Sequence, residues 1–485
     1  MRTARLLLPL LLAAVLPATA TGQRAKVRPP SLVRLTSTPA LYPAYSPAIH
    51  DYVVRCAAGK PVRFTTWAAA GTAPFIDGRP GHTAAVALAP GHAVTIEGRN
   101  AKGIADYHVR CLPADFPQWT DTRTASTPYW YIATPTLSFS PNRSHYIVIF
   151  DGHGVPVWWY KTRRVPIDAK LLPGKTIAFA SFPASTPEYQ VRRLDGKFVR
   201  KIVSPDGRID DHDLQRAANG DYVFLVYQPK RGVDLTAFDG PADATVLEAQ
   251  IEEVSPGGKL VWSWSSDGHL DLSESARWIK TIIGQPVTIP GPDGAPEQAY
   301  DFFHANAVSL DGNTVLLSLR QTDGVYAIDK ATGDVLWKLG GTPTPQSLTV
   351  LGDPYGSMPL GGQHDVRVQP DGSVSVFDDG TFLDRAPRLA RYQIDTTART
   401  ATLYQQISDP TIATSLCCGS ARSLSNGDWV VSWGGDSSFG EYRADGTLVF
   451  RITFDGLFSY RVAPVSPRRL TAGDLRAAMD ALANR

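Results

Sequence analysis

Ten histidines occur in the 485-residue chain, and three of them open an apolar segment that runs into a tight turn: His212 in DDHDLQ, His304 in FFHANAV and His364 in GQHDVRV. An imidazole can act as a nitrogen nucleophile, a general acid or base, or a metal ligand. Hairpin counting about a turn centred on Gly312 sets His304 opposite Arg320, and the two-residue period of a strand puts Asn306 on the face of His304. Asp213 and Asp365 directly follow their histidines, so the same period turns them to the opposite face, as anchors rather than reactants. Three histidines, one arginine and one asparagine make a donor-rich set suited to an anion with several oxygens, such as sulfate or phosphate. Zinc fits less well, because Arg320 sets a fixed positive charge beside the imidazoles and no carboxylate is expected on their face. Neither a metal nor a cofactor is therefore expected. His50, His82, His92, His108, His145, His153 and His269 lack the strand-opening placement and are read as surface or loop residues.

The elements that must hold these residues are short strands. From Asp301 to Gly341 the chain reads as four apolar runs, AVSL, TVLLSL, VYAI and VLWKL, separated by Asp311-Gly312-Asn313, Thr322-Asp323-Gly324 and Thr332-Gly333-Asp334. These are hairpin-turn sequences, and a four-stranded meander of about 40 residues is one β-propeller blade, which cannot bury its two apolar faces alone. Five further hairpins follow the same pattern, around Pro141-Asn142, Pro173-Gly174, Asn219-Gly220, Asp371-Gly372 and Asn426-Gly427. Six units predict an all-β chain with a six-bladed β-propeller. Corresponding strands then line one central axis, so the three histidines should gather at one mouth of the channel. By the same count Tyr227 and Trp433 come near that mouth, where they would stack on an aromatic ligand.

The rest of the chain frames the propeller. Residues 1–20 carry Arg2 and Arg5, an apolar run from Leu6 to Leu16 and Ala18-Thr19-Ala20, the pattern of a secretory signal with its cleavage site. Export to the periplasm or the medium is therefore expected. Residues 21–30 read as a linker and 31–113 as a small β-sandwich. Residues 126–462 form the propeller, and 463–485 form a tail with a short helix, capped by Thr471 and Asp474 and presenting Leu475, Met479 and Leu482 on one face. In an oxidising compartment Cys56 and Cys111, each ending a Val-Arg-Cys strand, predict a disulfide worth about 4 kcal/mol on the loop-entropy model. Cys417 and Cys418 are adjacent, where bonding needs a strained ring, so they are read as free thiols. With 48 basic against 46 acidic residues, nothing points to nucleic acid or an anionic membrane as partner, and no later segment is apolar enough for an anchor.

Taken together, HDL with NGDYVFL, HANAV with LSLRQTDGVYAID, QHDVRVQPDGSVSVFDDG and ARSLSNGDWVVSWGG resemble the bacterial arylsulfate sulfotransferase family over roughly residues 126–462. The N-terminal sandwich is similar, more loosely, to cadherin-like modules. The resemblance implies an exported enzyme that moves a sulfuryl group from a phenolic sulfate ester to a phenol by a ping-pong route, without a nucleotide donor. It implies His364 as the nucleophile that is transiently sulfated and His304 as the acid/base at the phenol oxygen. His212, Asn306 and Arg320 would hold the sulfuryl oxygens. Its partners would be small phenolic sulfates and phenols. Two other readings use the same pocket: a propeller that captures an anionic ligand or a partner protein without reaction, and a sulfatase-like hydrolase in which water replaces the acceptor. A quinoprotein-like dehydrogenase, suggested by ATGDVLWKLGG, is disfavoured because that motif does not recur in all six units.

Overall fold

The computed structural model describes residues 29–57, 59–137, 144–182, 188–205 and 208–485. The expected signal segment, most of the linker and the Pro141-Asn142 turn lie outside the described residues. The apolar runs and Gly-containing turns become six successive sheets, each with a four-stranded antiparallel meander at its heart. Their innermost strands are Val165–Leu172, Arg208–Arg216, Ala305–Asp311, His364–Val368, Ser420–Ser423 and Phe458–Val465, and each touches the next until the last meets the first. The molecule is thus mostly β and carries a β-propeller.

Ring closure is made by the chain's end. Phe458–Val465 pairs with Trp130–Leu137 and becomes the inner strand of the first sheet. Trp119–Arg123, which sequence reading leaves ahead of the propeller, adds an outer strand beside Leu448–Phe454 in the last sheet. Periodicity within each hairpin cannot show such exchanges, because they join segments more than 300 residues apart.

Bulges interrupt four of the inner strands at matching places, between Ile167 and Lys170, Asp210 and Leu214, Ala305 and Ala307, and His364 and Arg367. A bulge leaves residues unpaired and re-aims their side chains. Here it puts Asp168, His212, Asn306 and Asp365 where the regular ladder is broken, and every mapped histidine sits at or beside one.

Ahead of the propeller, a three-stranded sheet (Leu32–Thr38, Val62–Ala68, Thr83–Val86) and a five-stranded sheet enclose one apolar core containing Leu35, Tyr52, Phe64, Ile96 and Tyr107. Cys56 and Cys111 are joined in a disulfide with Cα atoms 5.7 Å apart, as expected. The C-terminal helix, Ala472–Ala483, has the Thr471–Asp474 capping box and buries Leu475, Ala478 and Met479 against the first sheet. Its other side is tied to the N-terminal sheets by Arg476 to Asp51 at 2.8 Å and Asp480 to Arg110 at 2.9 Å.

Candidate functional site

His212, His304 and Arg320 line a cavity of about 700 Å³ at the starting ends of the inner strands. The rings of His212 and His304 meet edge to face with centroids 4.9 Å apart. Tyr460 links His212, at 5.7 Å, to His364, at 6.4 Å. His364 itself is 1% exposed and lies behind Cys418, which does line the cavity.

Each of the three imidazoles is held by a carboxylate. Nδ1 of His212 bonds Asp210, Nδ1 of His304 bonds Asp301 at 2.7 Å, and Nδ1 of His364 bonds Asp379 at 2.8 Å. This corrects the expectation that no carboxylate accompanies the histidines. Asp210 shares the side of His212 by simple two-residue spacing and was legible, whereas Asp301 acts through a turn and Asp379 through the neighbouring strand of the hairpin.

The tautomer of His364 follows from its partners. Nδ1 also faces the carbonyl oxygen of Gly362 at 3.0 Å, which only accepts, so Nδ1 carries the proton. Nε2 keeps its lone pair, and the backbone N–H of Cys418 donates to it at 3.2 Å. Burial, followed by the charges of Arg320, Arg461, His212 and His304, holds the ring's pKa well below the ordinary histidine value. His364 is therefore a neutral imidazole near pH 7. Burial likewise pushes the Asp379 carboxyl well up.

His212 is the opposite case. Burial pulls its pKa down, but Asp210 and then Asp211 outweigh that and raise it to about 9. It is a cation at neutral pH. Asp210, Asp211 and His212 bring three possible ligand atoms within 4.8 Å of one another, and a metal there would have to displace the proton of His212. The pair His304–Asp301 sits on strained backbone, with φ 49° at His304, and Asp301 compensates by accepting both the His304 backbone N–H at 2.8 Å and Nδ1.

Arg320 lies as hairpin counting places it, its backbone N–H donating to the His304 carbonyl at 3.0 Å. Its guanidinium stacks on Trp278 at 4.4 Å and donates to the Leu416 carbonyl at 3.0 Å, while buried Nε meets no partner among the described residues. Asn306 is displaced by the bulge from the face of His304. It is fully buried, donates to the Gln363 carbonyl at 2.7 Å, and so fixes the residue before His364. Tyr227 lines the cavity. Trp433 is buried beside Phe377, its indole N–H on Tyr442 at 2.9 Å, and does not line it.

The remaining wall is apolar and comes largely from a segment that no repeat predicts. Between the third and fourth sheets, the short helix Ile279–Gly284 with Trp278 before it and the strand Val287–Pro290 after it roof the cavity, and Phe382 adds an exposed ring 5.5 Å from Trp278. A cationic, histidine-lined floor under an aromatic wall fits an aryl ester of an oxyanion.

The arylsulfotransferase (ASST) family model matches residues 190–455, which contain all three histidines and Arg320. The chain belongs to the arylsulfotransferase family. No curated protein matches it. Solved structures to which the chain is similar include a protein of unknown function from Bacteroides caccae, 13% identical over 70% of this chain and 99% of that one with a TM-score of 0.40. Virginiamycin B lyase from Staphylococcus aureus is 10% identical over 69% and 87%, with a TM-score of 0.34. A Myceliophteria thermophila β-propeller domain is 12% identical over 72% and 99%, with a TM-score of 0.35. Likeness at these levels identifies neither ligand nor chemistry. The arylsulfotransferase assignment supports a sulfotransferase function acting on small aryl substrates, and no helix among the described residues is long and apolar enough to cross a membrane.

Proposed function

We propose that this arylsulfotransferase is exported and moves a sulfuryl group from a phenolic sulfate to a phenol through a sulfated His364, with no nucleotide donor. The carrying observation is the division of labour among three carboxylate-held imidazoles: His364 is neutral with its proton on Nδ1, and His212 is a cation. Nε2 of His364 attacks sulfur and the S–O bond to the aryl group breaks. The departing phenoxide takes a proton from Nε2 of His304. An acceptor phenol then returns its proton to His304, its oxygen attacks sulfur, and the N–S bond breaks to restore His364. Protonated His212 and Arg320 stabilise the charge on the non-bridging oxygens, and Asn306 acts behind them by fixing Gln363. Tyr227, Trp278 and Phe382 pack on the aryl rings.

A second reading, capture of an anionic ligand without transfer, is favoured by one observation. His364 is 1% exposed and its Nε2 is already engaged by the Cys418 N–H. Intact-mass spectrometry after brief mixing with excess nitrophenyl sulfate and no acceptor separates the two. One added sulfuryl group per chain on His364 with release of nitrophenol is the expected result, and an unmodified chain that still binds the ester would establish capture instead.

A further inference from the structure

The inner strands have a second set of ends, about four residues or ~13 Å from the histidines. There they surround another cavity, of about 740 Å³, lined by Lys170, Arg216, Arg367, Arg422 and Arg469 and, among the described residues, by no aspartate or glutamate. We infer that this cavity is a binding site for a small polyvalent oxyanion, separate from the histidine site.

The charge balance points that way. Behind the lining lies an axial cluster in which Asp168, Asp213 and Asp365 pair with Lys170, Arg367, Arg422 and Arg461, at distances from 2.6 to 3.6 Å. Four cations face three carboxylates, so the cluster is one positive charge in excess. Arg216 and Arg469 add two more, and neither meets a carboxylate among the described residues. Arg216 donates to the Tyr222 hydroxyl at 2.7 Å, and Arg469 to the Leu171 carbonyl at 3.4 Å.

Unused donors accompany that excess. Nε of Arg367, a residue 7% exposed, and Nε of Arg422 are buried and have no hydrogen-bond partner among the described residues. Guanidinium groups converging from separate strands suit an ion with several oxygens, and the cavity has room for more than one tetrahedral group. The anion would also join the inner strands at the end that carries their hairpin turns.

Calorimetric titration of inorganic pyrophosphate into the full chain tests the site. The titration uses the Arg320→Gln variant, which removes the arginine of the histidine cavity. One ion per chain should bind, and adding Arg216→Gln and Arg469→Gln should weaken it by about tenfold or more. These two arginines are exposed and lack carboxylate partners among the described residues, so their loss strands no described buried charge. Absence of binding, or an affinity that both substitutions leave unchanged, would overturn the inference.

Discussion

The backbone N–H of Cys418 donates to Nε2 of His364 at 3.2 Å, so the nitrogen with the free lone pair is oriented toward the 417–418 segment while Nδ1 is pinned by Asp379 and Gly362. A sulfuryl group can reach that nitrogen only by taking the place of the Cys418 amide. The pinned Nδ1 keeps the lone pair on Nε2, as the proposed attack on sulfur requires.

His364→Ala removes the proposed nucleophile and should lower turnover of nitrophenyl sulfate by about 10³-fold or more. Circular dichroism and thermal unfolding check that the fold survives. Turnover within a few fold of the parent protein would eliminate His364 as the group that is sulfated.

The role given to His304 depends on Asp301, which holds its Nδ1. Asp301→Asn should slow transfer from phenyl sulfate, a poor leaving group, by about 10²-fold, while transfer from nitrophenyl sulfate changes far less. Steady-state rates over a series of leaving phenols measure the difference. Equal losses across the series would mean that Asp301 only shapes the cavity.

His212 gives a pH dependence of stability. Its folded pKa, about 9, lies above the ordinary value of 6.5, so its contribution is fully present below about pH 6.5 and is lost as pH rises toward 9. The shift corresponds to about 3 kcal/mol. Asp211, raised to about 6 chiefly by burial, is already ionised over most of that window. Urea unfolding at pH 6.5 and pH 9.5 should show a loss of this order, and His212→Gln should flatten it.

Arg320 combines a fork of donors with a stacked plane over Trp278. Lysine keeps the charge but loses both, so Arg320→Lys should lower kcat by about 10²-fold with a smaller change in KM. Fully parental kinetics would show that a point charge suffices there.

Much of this site can be read from residue order because hairpins are local. His304 and Arg320 face each other for the reason that a turn at Gly312 makes them do so, and the turn dipeptides mark each repeat. What could not be read depends on breaks in periodicity and on distant pairing. A bulge between Ala305 and Ala307 turns Asn306 away from the face of His304, and Trp433 packs into the core between sheets, where two-residue counting carries no information. Asp379 reaches His364 only because its strand pairs with the histidine's own. Trp278 comes from an inserted segment outside the repeat altogether.

Arg461 tests how the ring is locked. It lies on Phe458–Val465, the strand by which the chain's end closes the propeller, and it reaches Asp213 at 3.2 Å, Asp168 at 3.3 Å, Asp365 at 3.6 Å and the Asn306 carbonyl at 2.5 Å. These partners sit on four other inner strands. Replacing Arg461 by methionine keeps much of the volume but takes one cationic partner from each of three buried carboxylates, and breaking such a network from one side costs about 3–5 kcal/mol. Burial already pushes the Asp168 carboxyl up, so this aspartate should be the first to take a proton in the variant. Protonation then offsets the loss of the Arg461 partner, and Arg461→Met should be least destabilising near pH 5 and most destabilising near pH 8. Urea unfolding at both pH values measures the effect. A cost that is the same at both would show that Arg461 holds the ring through its backbone contact to Asn306 rather than through charge.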